Sequence, residues 1–104
     1  MTYRDYMKQE LGYEVMTTYY EDLTIAERFG HKAIVDTVKY AIKFDHNYKH
    51  LTELCMILNH KIWFTYEKDL ELGKLYNTLW EKMRQYLTST LKGEELSYYY
   101  RTTD

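Results

Sequence analysis

The sequence predicts an all-α protein, a compact helical bundle of three to four main helices plus short helical segments. Three observations carry that expectation. Apolar residues recur at three- and four-residue spacing along most of the 104 residues. The chain holds no proline and no run that alternates as a strand would. Thr, Asp, Asn and Gly stand where the periodic stretches begin and end, as helix caps do.

Taken in order, Thr2, Tyr3, Arg4 and Asp5 resemble a capping box, and Tyr3, Tyr6, Met7 and Leu11 repeat at helical spacing before Gly12. A first short helix over about 2–11 follows. Residues 13–23 lack a clean period and are expected to be irregular. Thr24 and Glu27 then have the spacing of a second capping box, opening a short helix that stops near Gly30.

From His31 the period resumes, with Ile34, Val38, Ala41, Ile42 and Phe44 on one side and Lys32, Asp36, Lys39 and Lys43 on the other. Its β-branched residues Ile34, Val35, Val38 and Ile42 give this helix little intrinsic propensity, so it depends on burial. A short helix, a glycine and a second helix also match the order of a DNA-reading helix-turn-helix. That motif asks for an apolar residue six positions after the glycine, where this chain has Asp36.

The stretch from Leu51 to Tyr66 is expected to be central. Asp45 and Asn47 are candidate N-caps for it, and it should run to about Glu67. Leu51, Leu54, Cys55, Leu58, Ile62 and Tyr66 form one stripe, while Met56, Ile57, Trp63 and Phe64 surround His60 on another side. A helix apolar on two sides must be covered on both, by its own chain or by another molecule. Lys68 and Asp69 make the next turn. The last long helix, about 70–91, presents Leu72, Leu75, Tyr76, Leu79, Met83, Tyr86 and Leu87 as one stripe with Trp80 at its edge. So short a connection makes these two long helices antiparallel neighbours. Gly93 closes the helix, and Glu94 to Tyr100 add a final turn carrying Tyr98, Tyr99 and Tyr100.

Composition narrows the function classes. One domain of 104 residues buries about two thirds of its unfolded-chain surface and needs neither disulfide nor metal to fold. The longest apolar run falls far short of a membrane span, no leader-like segment opens the chain, and the single Cys55 makes no internal disulfide. A cytoplasmic protein is expected. The net charge of −2 supplies neither the basic patch of a nucleic-acid binder nor the strong acidity of a DNA mimic. Thirteen tyrosines are the oddity, because Tyr offers large contact area at low entropic cost and is favoured at interfaces.

Motifs for chemistry are weak. His46 and His50 are four apart with Glu53 three further on, a spacing that puts three metal-ligating side chains on one helix face; solvated surface residues explain it as well. Cys55 sits on the apolar stripe, where a buried thiol packs as a hydrophobe. No phosphate-binding, dinucleotide, hydrolase or zinc-protease signature occurs. The expectation is therefore a chain that is not an enzyme and uses no cofactor.

The stretches Thr24-Ile-Ala-Glu-Arg-Phe-Gly30, Leu51-Thr-Glu-Leu54, Leu58-Asn-His-Lys-Ile-Trp63, Leu75-Tyr76 to Leu79-Trp80 and Leu91-Lys-Gly-Glu-Glu-Leu-Ser-Tyr-Tyr-Tyr-Arg-Thr-Thr-Asp104 resemble a family of small proteins of phages and integrative mobile elements of Gram-positive bacteria. That family has no assigned activity and no motif whose role transfers. The resemblance implies a non-enzymatic inhibitor of a host defence nuclease, of the anti-CRISPR or antirestriction kind. His60, Trp63, Tyr98, Tyr99 and Tyr100 are the residues expected to touch a protein partner. Two other readings stand beside it: a self-associating structural or regulatory helical protein, with the second side of the central helix buried in a homodimer, and nucleic-acid binding through Lys32, Lys39 and Lys43.

Overall fold

The computed structural model describes residues 19–103. They form five helices and no strand: α1 (Tyr19–Glu27), α2 (His31–Phe44), α3 (Tyr48–Thr65), α4 (Leu70–Thr90) and α5 (Glu94–Thr103). The described part of the chain is all-α, and none of its helices is long and apolar enough to cross a membrane. The helix expected over 2–11 lies outside the described residues. The described residues fall into two compact units, one ending at His46 and the other beginning at Asn47.

In the first unit α1 packs on α2. Helix α1 begins at Tyr19, inside the stretch expected to be irregular and five residues before the expected cap Thr24. The Thr24 hydroxyl donates to the Tyr20 carbonyl at 2.9 Å, the back-bonding of a residue inside a helix rather than the forward bond of a cap. Burial explains the early start: Tyr19, Leu23 and Ala26 share one buried stripe that begins before Thr24 and continues past it. Gly30 joins the two helices at φ 105, a conformation that costs glycine nothing and most other residues a good deal. Helix α2 then buries Ala33, Ile34, Thr37, Val38 and Ala41, and the Thr37 hydroxyl is satisfied by the Ala33 carbonyl at 2.8 Å. Asp45, one of the two candidate caps for the next helix, instead accepts a hydrogen bond from the Tyr19 hydroxyl.

The second unit is an antiparallel hairpin of α3 and α4 with α5 packed against both. Asn47 caps α3, its side-chain oxygen accepting from the backbone N–H groups of Lys49 at 2.9 Å and His50 at 3.4 Å. Asp69 does the same for α4 through Leu72 N–H at 3.1 Å. Asp69 is exposed, so Asp69→Ala removes a cap and little else. It is expected to cost about 1 kcal/mol in urea unfolding, and an unchanged midpoint would show the cap to be idle.

The core of this unit comes from Leu51, Leu54, Cys55 and Leu58 of α3, from Tyr76, Leu79, Met83 and Leu87 of α4, and from Tyr99 of α5. The expected stripe of α4 is thus buried at its centre. The stripe of α3 is buried only as far as Leu58: Ile62 is half-buried and Tyr66 exposed, while Lys61 is buried in their place. After Leu91, Gly93 turns the chain at φ 62, and Ser97 N–H bonds to the Gly93 carbonyl at 3.1 Å to start α5. That final element is a ten-residue helix, longer than the single turn expected, because Leu91 and Tyr99 both find buried positions.

Candidate functional site

Among the described residues α3 is buried along one side, through Leu51, Leu54, Cys55 and Leu58. Met56, His60, Trp63 and Phe64 are spaced four, three and one apart on the other side, which helical geometry gathers into one face. All four are exposed, Trp63 at 78% and Phe64 at 57%. The His60 and Phe64 rings lie 4.7 Å apart between centroids, so the face is continuous rather than a set of isolated side chains. Scattered apolar residues at a surface are ordinary, but a Trp and a Phe side by side on one helix are an apolar patch.

This face borders a cleft of about 320 Å³ framed by all three helices of the second unit. Met56, His60 and Trp63 of α3 form one wall, Trp80 and Arg84 of α4 the other, and Tyr99 and Tyr100 of α5 close it, with Cys55, Asn59, Thr102 and Thr103 completing the lining. Trp80 and Arg84 are four apart on α4, which stacks the guanidinium carbon over the indole at 5.6 Å from its centroid. Tyr99 is buried and Tyr100 exposed, their rings meeting edge to face at 5.4 Å.

Of the five residues expected to meet a partner, the structure brings His60, Trp63, Tyr99 and Tyr100 to this cleft and takes Tyr98 away from it. The reason is the helix: consecutive residues point about 100° apart, so three tyrosines in a row on α5 cannot share a face. Tyr98 instead meets Tyr48 edge to face at 5.4 Å, with the Lys49 ammonium 5.7 Å from its ring. Tyr99 faces inward, and only Tyr100 of the three is both exposed and in the cleft. Trp80 and Arg84 escaped the sequence reading. The spacing marks Trp80 only as the edge of a core stripe and gives Arg84 no role, and only the position of α5 shows that the two face the same cavity.

The floor of the cleft is chemically quiet. The Tyr99 hydroxyl donates to the Cys55 sulfur. Burial pushes the Tyr99 phenol up to about 12, and the adjoining thiol adds to the shift. Burial likewise raises the Cys55 thiol, which the Tyr99 hydrogen bond and the Arg84 charge only partly offset. A buried, protonated thiol is a poor nucleophile.

The raised phenol has a consequence for stability. A folded-state value above the unfolded one means the neutral form is favoured by folding, so the contribution is complete below pH 10 and is lost as pH rises from about 10 to 12. Urea unfolding across that window should show a falling midpoint, and Tyr99→Phe should flatten the fall. An equally steep fall in both proteins would assign it to other groups.

The three candidate metal ligands are not assembled. His46 lies in the connection before α3, not on the helix, so the four-residue spacing to His50 does not place the two on one helical face. Among the described residues no group of three or more His, Cys, Asp and Glu side chains could hold a metal ion. No protein-family model matches this chain, and no curated protein or solved structure does either.

Proposed function

We propose that this protein is a non-catalytic binding module that inhibits or regulates a larger protein through the exposed face of α3 and the cleft beside it. The observation that carries the reading is Trp63, 78% exposed on the same helical face as Met56, His60 and Phe64. An indole in water is a poor outcome for the folded chain alone. Burying it against a partner recovers about 25 cal/mol for each Å² of apolar surface removed from water. Trp, Tyr and Arg dominate the energetics of protein interfaces, and two Trp, two Tyr and one Arg line this cleft.

The resemblance to small proteins of phages and mobile elements is the ground for placing the partner among host defence nucleases of the CRISPR or restriction type, met in the host cytoplasm. The test is to mix the purified chain with such effectors and to follow complex formation by size exclusion and nuclease activity by cleavage assay. A complex and inhibition that are lost in Trp63→Ala support the proposal, while no complex and no inhibition remove the defence version. The same face also favours a second reading, a homodimer that buries Trp63 against its twin. Light scattering decides that one: a monomer at high concentration eliminates it. A salt-dependent shift with nucleic acid, carried by Lys32, Lys39 and Lys43, would instead favour the third and weakest reading.

A further inference from the structure

The cleft also carries information about what kind of surface it receives. Among the described residues that line it, Arg84 is the only Lys or Arg and none is Asp or Glu. The guanidinium is held over the Trp80 ring, its carbon 5.6 Å from the centroid. A planar cation fixed on an aromatic face is positioned for two parallel hydrogen bonds to a carboxylate, and part of its side-chain entropy is already lost before binding. Its field reaches the interior of the site, since its charge lowers both the Cys55 thiol and the Tyr99 phenol against the larger effect of burial. Beside it stand the apolar walls, Trp63 and Met56 on one side and Trp80 on the other, with Asn59, Thr102 and Thr103 as neutral hydrogen-bonding groups. A volume of about 320 Å³ accommodates one or two side chains rather than a whole helix.

We propose that the cleft docks an acidic peptide segment of the partner, an Asp or Glu carboxylate seated on Arg84 and a neighbouring aromatic or aliphatic side chain between Trp63 and Trp80. This rests on the protein-binding reading and adds to it the chemistry of the bound segment: acidic, with an apolar residue close to the acid. The chain reports on its own occupancy, because both of its tryptophans line this one cleft.

The test is selection from a displayed random dodecapeptide library on the intact chain, followed by titration of the enriched peptides while tryptophan emission is recorded. Enriched sequences should pair Asp or Glu with an aromatic or aliphatic residue, and their binding should shift or quench the emission. Arg84→Gln should weaken them about ten- to hundredfold, the loss expected for a charged hydrogen-bonded pair, and Arg84→Lys should fall between. Because Arg84 is exposed, its variants should unfold at the parent temperature, which separates lost contact from lost fold. Enrichment of neutral or basic sequences, no enrichment, binding indifferent to Arg84→Gln, or equal quenching by a nucleoside monophosphate would each overturn the proposal. The two proposals fail separately. A nuclease partner that binds Arg84→Gln as tightly as the parent but loses Trp63→Ala sinks acidic docking and leaves the binding module standing. Selection of acidic peptides by a chain that inhibits no nuclease keeps acidic docking and removes only the defence version of the proposed function.

Discussion

Tyr76→Ala is expected to lower the unfolding free energy by about 3–5 kcal/mol, the range for removing a large aromatic from a packed interior. Tyr76 has no exposed surface and is the largest of the fully buried side chains among the described residues. It stands on the stripe of α4 that also holds Leu79, Met83 and Leu87, in the helix pair with the buried face of α3. Deleting its ring leaves a cavity that long, mutually pinned helices can only partly close. Domains of this size are stable by about 5–15 kcal/mol in total, so a loss on that scale leaves the chain near its unfolding threshold. No buried side-chain polar atom among the described residues lacks a hydrogen-bond partner, so the phenol oxygen is also satisfied. Tyr76→Phe should therefore cost about 1 kcal/mol for the lost hydrogen bond, well short of the alanine variant. Chemical denaturation of the two variants beside the parent measures both. An alanine variant within about 1 kcal/mol of the parent would be incompatible with a ring that fills the core.

Gly73→Ala is the second large effect, and its sign depends on a competition. Alanine is the better helix former by about 0.5–1 kcal/mol, so at an open position in α4 the change would stabilise. Here a Cβ at residue 73 would lie 2.8 Å from the Tyr66 Cα and 2.9 Å from the Tyr66 Cδ2. The ring can swing aside; the backbone carbon cannot, because Tyr66 closes the C-terminal end of α3, its N–H bonded to the Ile62 carbonyl at 3.0 Å. Overpacking of this kind costs about 1–3 kcal/mol and should prevail over the gain in propensity. The thermal midpoint should fall, and a rise would mean that α3 and α4 do not approach so closely. The contact also bears on the candidate site. Trp63 sits three residues before Tyr66 and Trp80 seven residues after Gly73, so prying the hairpin apart at this point widens the cleft between the two indoles. Peptide or partner binding should weaken along with stability, whereas Asp69→Ala, which loosens only a cap, should leave binding close to that of the parent.

The long helices were legible because their signal is local and repeated. The stripe from Leu72 to Leu87 spans more than four turns, and the caps Asn47 and Asp69 announce themselves by residue type beside the periodic runs. Helix α1 was not, because Thr24 and Glu27 imitate a capping box in the middle of it, and only the burial of Tyr19 and Leu23 in the first unit overrides that local cue. His46 and His50 failed for a related reason: a four-residue spacing means a shared face only if both residues are helical, and α3 begins at Tyr48. The tail shows the opposite lesson. Three adjacent tyrosines read as a single sticky patch until the helix assigns them, Tyr98 to a ring contact with Tyr48, Tyr99 to the core and Tyr100 to the cleft.

By itself the amino-acid order determined that this chain is helical and where its two longest helices pack, since periodicity and capping are properties of neighbouring residues. It also showed that the segment carrying Trp63 has two apolar sides. Which of those sides the chain keeps for its own core, and that Trp63, Trp80, Arg84 and Tyr100 come together from three helices, was decided by the tertiary structure alone. The physical reason is that a one-sided stripe has a single way to be buried. A two-sided helix has a choice, and the choice is made by whichever distant helix supplies the better-fitting face.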